Sequence, residues 1–117
     1  MQATPGSGEG SAGLRGAGLL VVRIDVAPAA EEEFNSWYDR EHIPEKLGIP
    51  GFLSARRYDA ATTPGRYLAV YDLDDVAAAD VRVPPTEWTR RIKDSWVKLE
   101  RDVWVAHGPT VSRPDHR

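Results

Sequence analysis

The chain of 117 residues contains no cysteine, no long apolar run and no surplus of basic side chains. Without cysteine it can form no disulfide, thiolate nucleophile or cysteine-ligated zinc site. No apolar stretch approaches the ~20 residues of a membrane-spanning helix, and no basic N-terminal region precedes an apolar one. Its 15 basic residues are mixed with 18 acidic ones, so no basic stripe is offered to a phosphate backbone. We therefore expect a cytoplasmic protein that binds neither membranes nor nucleic acids.

Several catalytic and cofactor motifs are also missing. The glycine-rich run GSGEGSAG has no strand before it that could form a nucleotide cradle. Neither a nucleophile elbow nor paired metal-ligand spacing is present. We expect no metal and no cofactor, and haem ligation by His42 or His107 is the alternative that stays open.

Composition divides the chain into two tails and one folded domain. A length of 117 residues with 41% apolar content fits a single domain with a modest core. Residues 1–17 consist mainly of Gly, Ser, Ala and Pro, which offer little to bury, so we expect a disordered tail there. Residues 109–117 are expected to form a flexible C-terminal tail. The folded domain is then predicted over 18–108.

Hydrophobic periodicity in the domain predicts the order β-α-β-β-α-β. The predicted strands cover residues 18–26, 51–60, 66–73 and 102–108, and the predicted helices cover 28–42 and 84–102. The first helix is expected to end near His42, because Pro44 disfavours helical geometry at Ile43. The prediction of the second helix rests on four apolar residues at helical spacing: Trp88, Ile92, Trp96 and Leu99. This order predicts an α+β ferredoxin-like fold with an antiparallel sheet and both helices on one face.

The first predicted strand, GLLVVRIDV, is apolar on both of its faces. Two helices cover only one face of the sheet, so something else must cover the other. The simplest partner is a second copy of the chain, which predicts a homodimer joined through its sheets. The alternative is a monomer with a partly apolar sheet face.

The segment FNSWYDREHIPEKLGIPGFLSARRY carries a motif that goes beyond composition. It combines a Trp-Tyr pair, an acid-His-x-Pro segment and an x-Pro-Gly-Phe entry into the second strand. These elements are Trp37, Tyr38, Glu41, His42, Pro44, Pro50, Gly51 and Phe52. The segment resembles the EthD-like family of the dimeric α+β barrel superfamily, with the motif covering about a fifth of the chain.

This resemblance implies a homodimer in which two sheets close a barrel. Each subunit would hold a ligand pocket between its sheet and its helices. The wider superfamily includes cofactor-free monooxygenases, cyclases, isomerases, dehydratases and haem enzymes, so the reaction must be argued from the site itself.

His42 and Tyr38 are the candidate catalytic residues. Imidazole titrates near neutral pH, and a position at a helix C-terminus would favour its charged form, which suits a general acid. Tyr38 lies one turn earlier and could donate a hydrogen bond to the substrate or to the imidazole. We expect His42 to line the pocket. The alternative is that it caps helix carbonyls and that the Trp-Tyr pair belongs to the core.

Five further residues are candidates for substrate binding. An unpaired carboxylate on an apolar helix face is costly, so Glu41 is expected to pair with Arg56 or Arg57. Tryptophans could line a pocket for a flat aromatic ligand, although some of them must fill the core. The predicted binding set is Trp37, Glu41, Arg57, Trp88 and Trp104.

These residues favour a small cofactor-independent enzyme that acts by proton transfer. The substrate class would be an aromatic or polyketide-type metabolite, and the reaction a cyclisation, dehydration or isomerisation. Cofactor-free monooxygenation is the first alternative. The second is a non-catalytic dimer that binds a hydrophobic metabolite.

Overall fold

The computed structural model describes residues 14–114. The sequence predictions for residues 1–13 and 115–117 lie outside this part of the chain. Four strands and three α-helices form the described part: β1 (Gly18–Val26), α1 (Glu31–Trp37), α2 (Ile43–Leu47), β2 (Phe52–Asp59), β3 (Arg66–Leu73), α3 (Glu87–Lys93) and β4 (Trp96–Val105). None of these helices is long and apolar enough to cross a bilayer.

The strands form one antiparallel sheet in the order β2-β3-β1-β4. The helices pack on a single face of this sheet, which confirms the predicted α+β ferredoxin-like fold. The central strand β1 and its neighbour β3 have the predicted bounds, because both are rich in β-branched and aromatic residues. The predicted turn before β2 is also present. Gly51 adopts a φ of 101°, which a residue with a side chain would strain to reach.

The first helical segment extends beyond the predicted end at His42. A π-helical turn, Tyr38–His42, joins α1 to α2, and the helix continues to Leu47. In this wider turn the backbone N–H of Ile43 donates to the carbonyl of Tyr38, five residues earlier. The expectation that Pro44 ends the helix was therefore wrong. Proline lies in the first turn of α2, where its missing N–H is tolerated, and the π turn relieves the crowding that proline causes in a regular helix.

The second helix is much shorter than predicted. It begins at the N-cap Thr86, whose hydroxyl accepts from the N–H of Thr89, and it ends at Lys93. Trp96 and Leu99 lie in β4, so their assignment to the helix was wrong. Only residues 97–100 alternate in polarity, and pairing of the whole segment with the free edge of β1 favours the strand over an isolated helix extension.

The core lies between the helices and the covered face of the sheet. Its largest fully buried side chains come from both helical segments and from the two central strands. They are Trp37, Tyr71, Phe34, Leu20, Leu73 and Ile92. Because β1 is paired on both edges, its inward side chains anchor this core along its whole length.

The opposite side of the sheet, which we call the open face, has no helix over it in the described chain. Strand pairing places Leu19 beside Trp104 and Val21 beside Val70 on this face. Farther along β1 the face becomes charged, where Arg66 donates to Asp25 at 3.0 Å. The open face therefore has an apolar end and a charged end.

Candidate functional site

A cavity of about 700 Å³ lies on the helix-covered side of the domain. It is enclosed by α2, the loop 81–85, α3 and the first half of β4. Its lining mixes aromatic, aliphatic and charged side chains, among them Trp37, His42, Glu45, Lys46, Val81, Arg82, Pro84, Lys93, Trp96 and Arg101. The volume falls in the range of pockets that hold small organic ligands.

The π turn sets the position of His42 in the wall of this cavity. The imidazole stacks on the indole of Trp37, with ring centroids 4.5 Å apart and planes 21° from parallel. The Tyr38 ring also contacts the imidazole, edge to face with centroids 5.0 Å apart, and it lies 5.1 Å from the Trp37 ring, so the three rings form one cluster. Since both neighbouring rings are buried, the imidazole has little freedom to rotate.

Burial above all, with the positive charges of Lys46 and Lys93 and against the opposing charge of Glu41, lowers the pKa of His42 to about 4. The helix does not end at His42, so the expected helix-terminus stabilisation of a charged imidazole is absent. The expectation of a general acid was wrong in this respect. At neutral pH the imidazole is uncharged and able to accept a proton.

Glu45 lies one helical turn beyond His42 and completes this part of the wall. The Nδ1 atom of His42 is buried without a hydrogen-bond partner in the described chain, and it is 3.8 Å from Oε1 of Glu45. A small side-chain movement would bring the two into hydrogen-bond contact. Such a contact would hold the proton on Nδ1 and leave Nε2 as the proton acceptor.

Glu41 pairs with threonines and not with an arginine. Thr86 Oγ1 donates a very short hydrogen bond to its carboxylate, and Thr89 Oγ1 donates another at 2.9 Å. Thr89 Oγ1 also accepts from the indole N–H of Trp37 at 3.1 Å. The predicted partner, Arg56 or Arg57, was therefore wrong. The two threonines hold the pKa of Glu41 below its usual value and tie the π turn to the start of α3.

Tyr38 and Arg57 lie next to each other beneath the helix, outside the cavity lining. The guanidinium of Arg57 sits 4.4 Å from the centre of the Tyr38 ring and donates to Asn35 at 2.7 Å and to Asp39 at 3.1 Å. Burial raises the pKa of Tyr38. Its hydroxyl faces that of Tyr71 without full hydrogen-bond geometry. These contacts join the helix to β2.

The remaining predicted residues lie apart from one another. The indole N–H of Trp88 donates to Glu33 at 3.2 Å on the outer side of the helices. Trp104 is 55% exposed on the open face. His107 is exposed beyond the end of β4. Of the predicted set, the structure brings Trp37 and His42 to the cavity, with Glu41 directly behind them.

The cavity is also lined by four residues that were not in the predicted site: Glu45, Lys46, Trp96 and Arg101. Glu45 and Lys46 follow His42 by three and four residues, which places them beside it on a helix. That spacing was not used because the helix was predicted to end at His42. Trp96 was assigned to the core side of the predicted second helix and Arg101 to the same helix, whereas both lie in β4.

A second cavity, of about 350 Å³, lies near the start of β1 and the end of β4. The buried carboxylate of Asp72 in its wall accepts from the backbone N–H groups of Arg15 and Gly16, at 2.7 and 3.0 Å. Because these bonds satisfy the carboxylate within the chain, it is a structural tether. Within residues 14–114, three or more His, Asp or Glu side chains do not come together as a metal site would require.

Known proteins resemble this chain in structure and not detectably in sequence. No family model matches it, and no curated relative was found. A monooxygenase of antibiotic biosynthesis from Deinococcus radiodurans, assigned provisionally to that function, superposes with a TM-score of 0.70 at 13% identity. The match covers 84% of this chain and 99% of that one.

Two further solved structures are similar. The cofactor-independent oxygenase SnoaB from Streptomyces nogalater has a TM-score of 0.65 at 19% identity, with 84% of this chain and 97% of that one covered. A dimeric ferredoxin-like protein from an uncultured marine organism has a TM-score of 0.64 at 15% identity, with 85% and 95% covered. At these identities the likeness establishes the ferredoxin-like fold. Membership of the EthD-like family in particular is not shown.

Proposed function

We propose that the protein is a cofactor-independent monooxygenase that acts on an aromatic, enolisable substrate. The observation that carries this proposal is the position of the His42 imidazole, packed against the Trp37 and Tyr38 rings in the wall of a cavity of about 700 Å³, where burial lowers its pKa to about 4. A buried neutral imidazole is a suitable proton acceptor. The half-buried ring of Trp96 suits a flat ligand, and the buried ring of Trp37 supports His42 from behind.

The first step is removal of a proton from an activated ring methylene by His42. An imidazole whose pKa is about 4 is a weak base in the empty cavity, so the step needs electrostatic help. Lys46 and Lys93 provide it, because their charges stabilise the enolate oxygen as it forms. The new negative charge in turn raises the pKa of His42, and this favours the transfer.

The substrate itself supplies the electrons for the following steps. The enolate transfers one electron to O₂, and the resulting radical and superoxide combine into a carbon-bound peroxide. Loss of water from the protonated peroxide leaves a carbonyl where the methylene had been. The balance is one CH₂ group and one O₂ converted into one C=O group and one H₂O.

The structural neighbours support oxygenation over the other reactions of the proton-transfer class, because they include a cofactor-independent oxygenase. Cyclisation, dehydration and isomerisation would begin with the same proton removal, but they consume no O₂. The test below separates them from oxygenation, and it also separates both from a binder that does not turn over.

The proposed assembly is a homodimer with the two open faces in contact. Leu19, Val21, Val70 and Trp104 form the apolar end of that face, which water would otherwise contact. A structural neighbour described as dimeric and ferredoxin-like supports this arrangement. The cavities lie on the opposite side of each sheet, so pairing of the open faces leaves them accessible.

The test uses dithranol, a tricyclic phenol with an acidic ring methylene, as the probe substrate. Oxygen uptake and quinone formation are followed with an oxygen electrode and by absorbance, against the rate without protein. We expect His42→Gln to lower the enzymatic rate by about a hundredfold or more, the usual scale for loss of a general base. The exposed His107 provides the matched control, and His107→Gln should keep the full rate.

Two outcomes would contradict the proposal. One is protein-dependent turnover of dithranol that proceeds equally well without O₂, which would indicate a non-oxidative proton-transfer enzyme. The other is dithranol binding, detected by tryptophan fluorescence, without any oxygen uptake above the background rate. That result would indicate a binding protein.

A further inference from the structure

The charges of the cavity wall are not balanced. Four cations line it: Lys46, Arg82, Lys93 and Arg101. None of them has an acidic partner within 4 Å in residues 14–114, whereas Arg23, Arg57, Arg66, Arg91 and other cations of the same region form ion pairs. Four of the eight Lys and Arg side chains that form no ion pair in residues 14–114 thus line this one cavity, in a chain whose net charge is −3. The other four, Arg15, Arg40, Arg56 and Arg113, lie outside its lining.

Lys46 and Arg101 form the inner part of this cluster. Burial lowers the pKa of Lys46, and the nearby charge of Arg101 lowers it further. The guanidinium of Arg101 is anchored by a hydrogen bond to the carbonyl of Ala79, and the Lys46 ammonium lies 5.8 Å from the centre of the Phe52 ring. Lys46 is half-buried and Arg101 is exposed. A second cation near a half-buried ammonium is destabilising unless an anion lies between them.

Acidic residues of the wall compensate for these charges incompletely. Glu45 and Asp80 are the two carboxylates in the lining, against four cations. Burial and the nearby Glu41 raise the pKa of Glu45, so its negative charge is more easily lost than that of a free glutamate. The ligand therefore meets a surplus of positive charge.

Helical spacing fixes the distance between Lys46 and the proposed base, His42. Lys46 follows His42 by four residues on a continuous helical segment, so their Cβ atoms are about 6 Å apart. This separation is close to the width of one aromatic ring with its substituent. A ligand that offers a ring carbon to His42 can then offer an anionic substituent to Lys46 and Arg101.

We propose that the cavity selects an aromatic carboxylic acid, with Lys46 and Arg101 receiving its carboxylate. The inference deepens the proposed function, on which it rests for the reaction at the ring. Carboxylate binding itself does not depend on turnover. Lys46 and Arg101 would be specificity-determining residues, because an amide in place of the acid keeps a carbonyl acceptor but loses the negative charge that attracts both cations.

The test measures binding of hydroxynaphthoate and of the matching hydroxynaphthamide by isothermal titration calorimetry. We expect the acid to bind wild-type protein at least about tenfold more tightly than the amide. Lys46→Met and Arg101→Met should each weaken acid binding by about tenfold and leave amide binding unchanged. Raising the salt concentration should weaken binding of the acid and not of the amide.

Arg90→Met is the matched control, because Arg90 is an exposed arginine of α3 outside the cavity lining. It should bind the acid like wild type, and circular dichroism should show that all three variants are folded. Equal affinity for acid and amide in the wild type would overturn the inference, as would equal losses for both ligands in the variants. Neither result would involve oxygen uptake, so failure here is distinguishable from failure of the proposed oxygenation.

Discussion

The two faces of the sheet are built from the same four strands but differ in chemistry. The covered face buries large aromatic side chains, and its helices enclose the cavity with His42 in the wall. On the open face, Leu19 and Val21 are followed along β1 by Arg23 and Asp25, which form ion pairs across the strands. Alternation along each strand produces this difference.

The two faces suit the two tasks proposed for the domain. A site that lowers the pKa of a histidine needs neighbours that exclude water, and the covered face provides them in Trp37 and Tyr38. An association surface needs apolar area that stays accessible in the monomer, with charges that set its register. Changes on the covered face should therefore affect folding and the site, and changes on the open face should affect assembly.

The largest effect is expected from Trp37→Ala. The indole is fully buried, stacks on His42 and donates to Thr89, so its loss leaves a cavity and removes one buried hydrogen bond. We expect the free energy of unfolding to fall by about 3–5 kcal/mol, measured by urea denaturation at a fixed protein concentration. Trp88→Ala, at a half-buried position, should cost clearly less. Equal losses in the two variants would contradict the assigned packing.

The next effect concerns pH and His42. Its pKa is about 4 in the folded protein and near 6.5 when the chain is unfolded, so between these values the unfolded state binds more protons. The stabilisation is therefore complete above pH 6.5 and is lost as the pH falls towards 4, by at most about 3 kcal/mol. His42→Gln should remove this part of the pH dependence. Parallel stability profiles for the two proteins between pH 4 and 6.5 would show that the imidazole is not buried.

On the open face, Val21→Asp is expected to prevent association. Val21 lies on the central strand between Val70 and Asp102, where a second copy would bury the new charge without a partner. Light scattering at micromolar concentration should give the mass of a dimer for the wild type and that of a single 13.0 kDa subunit for the variant. The affinity between subunits should be weakened by about a hundredfold or more. Val111→Asp, at an 88% exposed position, should remain dimeric. A wild-type protein that is already monomeric would refute the proposed dimer.

The smallest effect is expected from Thr89→Val. The hydroxyl connects the Trp37 indole to Glu41, so its removal leaves a buried N–H without a partner while Thr86 still holds the carboxylate. We expect a loss of about 1–3 kcal/mol in urea denaturation. Thr110→Val, at an exposed position, should leave stability unchanged. No loss from Thr89→Val would mean that the threonine link is not formed in solution.

The comparison of the two helical regions shows how far the sequence can be interpreted. The start of the first helix and strands β1 and β3 follow from local signals, because acids near the N-terminus and period-two alternation act over a few residues. The ends of both helices were wrong. Pro44 was expected to end the first helix, but a π turn accommodates it. The spacing of Trp88, Ile92 and Trp96 fits one long helix as well as a short helix followed by a strand.

The candidate site was predictable only where its residues lie close together in the sequence. His42 and Trp37 belong to one short segment, and their neighbourhood needs no distant contact to be recognised. Lys46 was not predicted, because the helix that carries it was expected to end at His42. Arg101 reaches the cavity through the pairing of β4 with β1, which joins residues far apart in the chain. No local pattern marks such a residue.

The sequence by itself determined the order of the strands and helices, the apolar character of both faces of β1 and the presence of a histidine in an aromatic segment. Tertiary structure decided the protonation state of that histidine, because its pKa depends on burial and on lysines brought near it by folding. It also decided the partners of Glu41, which are threonines at the start of α3 and not the arginines next in sequence. Composition and periodicity act locally, whereas desolvation and charge act across the distances that only folding sets.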